Sequence, residues 1–280
     1  MIILKLAKDL AAYIHSRGKE GASIGFVPTM GALHAGHTSL IDRCRSQCTK
    51  TVVSIFVNPT QFNNAEDFAR YPVTLEKDIL LLGNHQPDVI FIPAASEIYN
   101  DQAESTHYDL GGLELLLEGK YRPGHFQGVC QVVDRLLKII RPTHLFLGQK
   151  DYQQCLVIKK LLTDIPFPVK LVISPTLRES DGLAMSSRNL RLTAPQRIQA
   201  GSIYLSLLFL KENLLPGKLN KVKQGAKEIL EKVGFKVDYV EICDPVNLQQ
   251  VEEWDGKKPL IALIAAYVEE VRLIDNLLLT

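Results

Sequence analysis

The stretch Ile24-Gly25-Phe26-Val27-Pro28-Thr29-Met30-Gly31-Ala32-Leu33-His34-Ala35-Gly36-His37 decides the fold. Its first four residues, apolar apart from one glycine, read as a strand, and a glycine-containing turn follows. Beyond the turn a helix is expected from about Thr38 to Thr49. There Leu40, Ile41, Cys44 and Cys48 recur at helical spacing and would share one buried face. Thr51 to Val57 then reads as strand again, so the first unit is a right-handed βαβ. Cys44 and Cys48 continue the apolar stripe, which favours core packing over metal binding for that pair.

The same alternation extends outward. Strands are predicted at Asp88 to Ile92, His144 to Leu147 and Val169 to Ile173, each a nearly continuous apolar run separated from the next by room for a helix. Runs of that kind imply a parallel sheet covered on both faces. The character changes after Ser174-Pro175-Thr176. A polar loop through Asn189 precedes helical stretches at Pro195 to Lys211 and Leu219 to Val233, around the breaker Pro216-Gly217. Strands follow at Lys236 to Ile242, Leu260 to Val268 and Val271 to Ile274. The fold class is α/β: a Rossmann-like parallel sheet domain over 1–175, then a smaller α+β C-terminal domain over 176–280.

Composition narrows the function. The 280 residues are 46% hydrophobic, too apolar for a disordered chain, and 32 Lys+Arg against 31 Asp+Glu leave a formal charge of +1. That balance argues against a protein held to nucleic acid or an anionic membrane mainly by a basic surface. The longest apolar run, Leu260 to Val268, is too short to cross a bilayer. The N-terminus has no long apolar core behind a basic start, so no signal peptide is expected. Five scattered cysteines fit reduced thiols. A soluble, cytoplasmic protein is the resulting expectation.

Open parallel sheets bind ligands at the carboxyl ends of their strands. Three unusual segments fall there: Pro28 to His37, Asn58-Pro59-Thr60-Gln61-Phe62, and Gly148-Gln149-Lys150-Asp151-Tyr152-Gln153-Gln154. The chain contains neither a G-x-x-x-x-G-K-[ST] loop nor a G-x-G-x-x-G fingerprint. Instead, Gly36 allows close backbone approach, and His34 and His37 stand at the mouth of a helix whose free N–H groups attract phosphate. A partial metal site is the competing reading for the two histidines, but no Glu lies between them and no cysteine cluster is near in sequence.

The H-x-G-H box resembles that of the nucleotidylyltransferase superfamily. Taken with Phe56-Val57-Asn58-Pro59-Thr60-Gln61-Phe62, Arg122-Pro123-Gly124-His125-Phe126, the Gly148 to Gln154 segment and Met185-Ser186-Ser187-Arg188-Asn189, the sequence resembles the pantoate–β-alanine ligases. The resemblance covers most of the first 190 residues, in order. It implies ATP-dependent condensation of pantoate with β-alanine to pantothenate, AMP and pyrophosphate through a pantoyl adenylate. ATP would be a substrate with Mg2+ as its companion, and the protein would be a homodimer with no nucleic-acid or membrane partner.

The resemblance also assigns residues. Met30, Gly31, Ala32, Leu33, His34, Ala35, Gly36 and His37 would line the ATP site, with His34, His37 and Lys150 catalytic and His37 at the position usually taken as proton donor. Gly148, Gln149, Lys150 and Asp151 would hold phosphates and ribose, and Leu177 would give a backbone contact to adenine. Met185, Ser186, Ser187 and Arg188 match a segment that closes over the triphosphate. Gln61 and Gln154 would hold pantoate, with Asn58, Phe62 and Tyr71 completing its pocket and Gln61 also meeting β-alanine. Asp78 is the magnesium candidate, although it and Glu76 read equally as solvated helix charges. Arg122 and His125 would border the site as gate or brace. Two departures stand out: Gln149 where the family commonly has Glu, and Cys130-Gln131 with Arg135-Leu136-Leu137 where it has Thr and a later Lys-Leu-Phe. Two rivals remain, a nucleotidylyltransferase acting on a phosphorylated alcohol and a nucleotide-binding protein without turnover. The amides of Gln61 and Gln154 favour an unphosphorylated acceptor.

Overall fold

A computed structural model describes residues 1–19, 21–99 and 106–280. The chain opens with β1 (Ile2–Leu4) and α1 (Ala7–Lys19), then runs through β2 (Ile24–Thr29), α2 (Ala35–Gln47) and β3 (Lys50–Ile55). Helices α3 (Ala65–Ala69) and α4 (Leu75–His85) lead to β4 (Val89–Phe91) and α5 (Ala95–Ile98). After α6 (Leu117–Tyr121) and the long α7 (His125–Ile140) come β5 (His144–Gly148), α8 (Tyr152–Leu161) and β6 (Lys170–Ser174). The rest comprises α9 (Ala194–Ala200), α10 (Ser202–Glu212), β7 (Gly217–Lys218), α11 (Asn220–Lys232), β8 (Phe235–Cys243), β9 (Glu253–Trp254), β10 (Ile261–Val268) and β11 (Val271–Leu278).

Six strands form one parallel sheet in the order β1-β4-β3-β2-β5-β6. Side chains alternate across it. Phe26, Val52, Val89, Phe91 and Leu145 face a core shared with Val129, Val133 and Leu137 of α7. Val27, Val53, Ile90 and Phe146 face the opposite core, with Leu40, Ile41, Cys44 and Cys48 from and beside α2. Both faces are therefore apolar, which is why these strands read as continuous runs. All five strands expected in this part of the chain are present. β1 is an addition, too short at three residues to show a period, and it pairs with β4 from Ile2↔Val89 to Leu4↔Phe91.

The chain leaves β2 through α2 toward β3 and β4, then returns through α7 to β5 on the other side of β2. Strand order thus reverses between β2 and β5, and a crevice opens at their carboxyl ends. All five cysteines are free and buried, and burial pushes the thiols up, that of Cys44 to about 12. No helix among the described residues is long and apolar enough to cross a membrane.

Beyond Ser174 the main element is an antiparallel sheet in the order β11-β10-β8. One face of β10 (Ala262, Ile264, Ala266) packs beneath α10 and α11. Its other face (Ile261, Leu263, Ala265) joins Leu117 of α6 and Tyr152 and Leu156 of α8. The helix expected over Pro195 to Lys211 is broken at Gly201 into α9 and α10. The last strand runs on to Leu278, past Ile274, because its ladder to β10 continues through Asp275 and Asn276.

Candidate active site

The turn after β2 is held in an unusual conformation. Gly31 (φ 80°) and Ala32 (φ 48°) are both left-handed, a region costly for alanine. Asp78 of α4 compensates: its Oδ2 accepts from Ala32 N at 2.9 Å, its Oδ1 from Leu33 N at 2.8 Å and from Thr74 Oγ1 at 3.1 Å. Asp78 is 2% exposed, so it is not a solvated helix charge. Both of its oxygens accept hydrogen bonds, and the carboxylate does not line the crevice.

Helix α2 starts three residues earlier than its apolar period suggests because histidine caps it. His34 Nδ1 accepts from Gly36 N at 3.1 Å, and His37 Nδ1 accepts from His34 N at 3.3 Å. The rings lie 4.1 Å apart. A Cβ on Gly36 would sit 2.9 Å from the His34 ring, so the cap needs glycine there. An acceptor Nδ1 places the proton of each neutral ring on Nε2. Among the described residues nothing accepts from either Nε2. Burial, then the Lys150 charge, lowers His34 to about 4; burial, then His34, then Lys150, lowers His37 to about 3. Both rings are therefore neutral donors at pH 7, beside the positive end of a helix.

Lys150 follows β5 in a 3-10 turn, Gln149–Asp151, with Nζ 3.7 Å from Asp151 Oδ1. Asn276 of β11 fixes this turn from outside: its Nδ2 donates to Gln149 O at 3.0 Å and to Lys150 O at 2.8 Å. Gln149 meets the fold through that carbonyl, and its side chain does not line the crevice.

The segment Met185 to Arg188 lies over the histidine turn. Ser187 Oγ donates to Ala32 O at 2.9 Å, and Ser186 Oγ accepts from Arg188 N at 3.2 Å. Asp67 of α3 holds Arg188 Nη2 and Arg191 Nη1, each at 2.9 Å. Ser187 is thus committed to the turn, whereas the Ser186 proton is free to be donated. Asn189 donates to Ala184 O at 3.2 Å and shapes the loop.

At the other end of the crevice stand two glutamines. Gln61 ends a 3-10 turn, Pro59–Gln61; its Oε1 accepts from Asn58 Nδ2 at 3.2 Å and its Nε2 approaches Met30 Sδ at 3.0 Å. Gln154 is half-buried and free of protein partners among the described residues. Its neighbour Gln153 is structural, accepting from Glu118 N and donating to Leu113 O and Leu116 O. Asn58 is 1% exposed and fully engaged, with Tyr99 OH, Thr60 N and Gly128 O besides Gln61. It orients Gln61 and has no polar atom left for a ligand. Phe62 and Tyr71 meet edge to face at 5.7 Å and form an apolar wall.

One cavity of about 230 Å³ unites these parts. Met30, His34, Gly36, His37, Asn58, Gln61, Phe62, Tyr71, Gly148, Lys150, Asp151, Gln154, Leu177, Met185, Ser186, Ser187 and Arg188 line it, as do Arg122 and His125. Gly31, Ala32, Leu33, Ala35, Gln149 and Asp78 do not line it; the first three build the turn, and Ala35 opens the helix facing solvent. A roomier cavity of about 380 Å³ lies between α6, α11 and β8, but its Lys223 is tied to Glu241 and Glu252 and it holds no histidine. Sequence reasoning missed Asp67, Asn276, Ser54 and Thr176. The last two line the site with buried hydroxyl oxygens that lack a protein partner. Only Asp275-Asn276 left a signal, a polar pair set in an apolar strand.

The chain matches the family model described as Pantoate-beta-alanine ligase over residues 2–278. It is 42% identical over 281 residues to a pantothenate synthetase of Leptospira biflexa, across 99% of this chain and 98% of that one. A pantothenate synthetase of Cytophaga hutchinsonii is 40% identical over 282 residues, across 100% and 99% of the two chains. The solved pantothenate synthetase of Thermus thermophilus superposes with a TM-score of 0.91 at 39% identity, covering 99% of both chains. The pantoate-beta-alanine ligase of Francisella tularensis, solved with beta-gamma ATP and beta-alanine, gives 0.84 at 39% identity, covering 99% and 97%.

Proposed function

This chain belongs to the pantoate–β-alanine ligase family, and from that premise we propose how its residues carry out the ATP-dependent condensation of pantoate with β-alanine to pantothenate, AMP and pyrophosphate. The route runs through a pantoyl adenylate. A pantoate carboxylate oxygen attacks the α-phosphorus of ATP and pyrophosphate leaves. The amine of β-alanine then attacks the activated carbonyl, and AMP leaves with the bonding electrons. Neither step needs a protein nucleophile; both need positioning and neutralised charge.

The observation that carries this reading is the histidine cap. It turns two neutral Nε2–H donors toward a cavity that also holds Lys150 and two glutamines. In this reading His34 and His37 donate to the α- and β-phosphate oxygens as charge builds there, and Lys150 adds a compact positive charge. His37 acts as a hydrogen-bond donor, since a ring held near 3 carries no second proton to give at pH 7. Asp151, with half its side chain exposed, receives the ribose hydroxyls, and Leu177 meets the base. Ser186 and Arg188 close over the phosphates, Arg188 exchanging or sharing Asp67. Gln61 and Gln154 orient the hydroxy acid as neutral amides, which leaves its carboxylate nucleophilic, and Gln61 also meets β-alanine.

Magnesium enters with the triphosphate, as part of the nucleotide substrate. The donor chemistry supports that place: Asp78 is occupied, and no group of three His, Cys, Asp or Glu side chains among the described residues could hold a metal ion. The units 1–175 and 176–280 act as base and lid, closing to keep water from the adenylate. A cytoplasmic location agrees with five buried free thiols. A homodimer is proposed from kinship, to be read by sedimentation. The functional test is exchange of labelled pyrophosphate into ATP. Exchange that requires pantoate, with net AMP release only when β-alanine is added, supports the reading; exchange indifferent to pantoate overturns it.

A further inference from the structure

A buried ionic cluster joins the C-terminal unit to the substrate end of the crevice. Glu118 of α6 is 7% exposed and takes both arms of Arg272 of β11, at 2.7 Å each. Arg272 Nε also reaches Asp238 Oδ2 at 2.8 Å, and Tyr239 OH donates to Glu118 Oε1 at 2.9 Å. On its other side Glu118 lies 3.7 Å from Arg122 Nη1. That same Nη1 donates to His125 Nε2 at 3.2 Å, and His125 Nδ1 donates to Gln61 O at 2.7 Å. Two carboxylates and two guanidiniums balance, and the hydrogen bonds end on the residue assigned above to pantoate.

Burying four charges is a poor route to stability, because desolvation offsets most of the attraction. The arrangement does something an apolar contact cannot, which is to fix direction. The Glu118 carboxylate faces Arg122 Nη1 at 3.7 Å, and Glu118 is itself oriented by Arg272 and Tyr239 from the C-terminal unit.

We propose that Glu118, Arg122 and His125 are positioning residues that set Gln61 according to the docking of the C-terminal unit through Arg272. The proposal rests on the assignment of Gln61 to pantoate given above. It makes the pantoate pocket complete only when the two units are engaged.

The test is steady-state kinetics of the full chain with Glu118→Gln, His125→Ala and the double variant, reading KM for pantoate and for ATP separately alongside thermal melting. The expected result for Glu118→Gln is a pantoate KM raised about tenfold with ATP KM within about twofold, within the span of such couplings. In the His125→Ala background the same change should add less than about twofold, because its effect travels through His125. Arg272→Lys, which keeps the charge but loses the fork, carries the same expectation if Glu118→Gln does not fold. Unchanged pantoate KM, an equal rise in both KM values, or multiplicative effects in the double variant would overturn the proposal. Absence of pantoate-dependent turnover in the unsubstituted enzyme is a separate outcome that removes the functional reading itself.

Discussion

Gly128→Ala puts the geometry of the substrate end under direct strain. Helix α7 passes so close to the Pro59–Gln61 turn that a Cβ on Gly128 would lie 2.2 Å from Thr60 O and 2.8 Å from Gln61 N. Relaxing the oxygen contact to an ordinary 3.4 Å requires the turn to retreat by 3.4 − 2.2 = 1.2 Å. The retreat also pulls on the bond from Asn58 Nδ2 to Gly128 O, at 3.2 Å, and with it the orientation of Gln61. Overpacking of this kind costs about 1–3 kcal/mol, or a fall in Tm of roughly 3–10 °C for a chain of this size. A reacting group misplaced by ~1 Å loses about a hundredfold in rate. We therefore expect kcat/KM for pantoate to fall by about two orders of magnitude. Nucleotide affinity, governed by the histidine cap and Lys150, should stay within about threefold, a shift of under 1 kcal/mol. The assays are differential scanning fluorimetry, pantoate kinetics at saturating ATP, and ATP titration by calorimetry. A variant that melts with the wild type and keeps its pantoate kinetics would refute the close approach. An equal loss of ATP affinity would refute the division of the crevice into two ends.

The neutral histidines make a pH prediction. Their folded pKa values, about 4 and about 3, lie below the usual 6.5, so the unfolded chain binds more protons below pH 6.5. Their stability contribution is complete above that value and is lost as pH falls toward 3. The pH profile of kcat/KM for ATP, which reports free-enzyme groups, should show no inflection from them between pH 6 and 8; one that vanishes in His37→Asn would contradict this. Lys150→Ala should slow single-turnover adenylate formation by about a hundredfold or more while aminolysis of preformed adenylate changes little, and an unchanged first step counts against its role. Asn276→Ala frees the carbonyls of Gln149 and Lys150; the expected outcome is a rise in ATP KM of about tenfold, near the 1–3 kcal/mol of losing such buried bonds, checked against a pantoate KM that stays put. Asp78→Ala strips the Met30 to His37 turn of two hydrogen bonds, and Thr74 of a third, and should lower Tm equally with and without magnesium. A loss confined to magnesium-containing buffer would restore the metal assignment.

Some of this was legible because it is local. The run Ile24 to Val27, the stripe Leu40-Ile41-Cys44 and the apolar stretch Leu260 to Val268 each carry their own period, so the sheet, its first crossover and the last hairpin could be read from neighbouring residues. Three-residue β1 carries no period and exists only through β4. The start of α2 hid for a different reason: histidine is a rare cap, and its Nδ1 acceptor role is visible only in three dimensions. Non-local pairing was illegible, even where a polar residue such as Asn276 stood out in an apolar strand. Asp67 and Arg188 are 121 residues apart, Asn276 and Lys150 126, Glu118 and Arg272 154. Asp78 had the right residue type for a metal, yet its surroundings gave it a structural task. Asn58 sits in a recognisable motif, and its hydrogen bonds make it a brace for Gln61 within the crevice wall.

The acyl-adenylate route is most directly tested with pantoate carrying oxygen-18 in its carboxylate. Attack of that oxygen on the α-phosphorus, followed by cleavage of the acyl C–O bond by β-alanine, carries one labelled oxygen into AMP. The account predicts one label per AMP and none in pyrophosphate. Label found in pyrophosphate or orthophosphate, with unlabelled AMP, would contradict it, because activation would then have occurred at a different phosphorus.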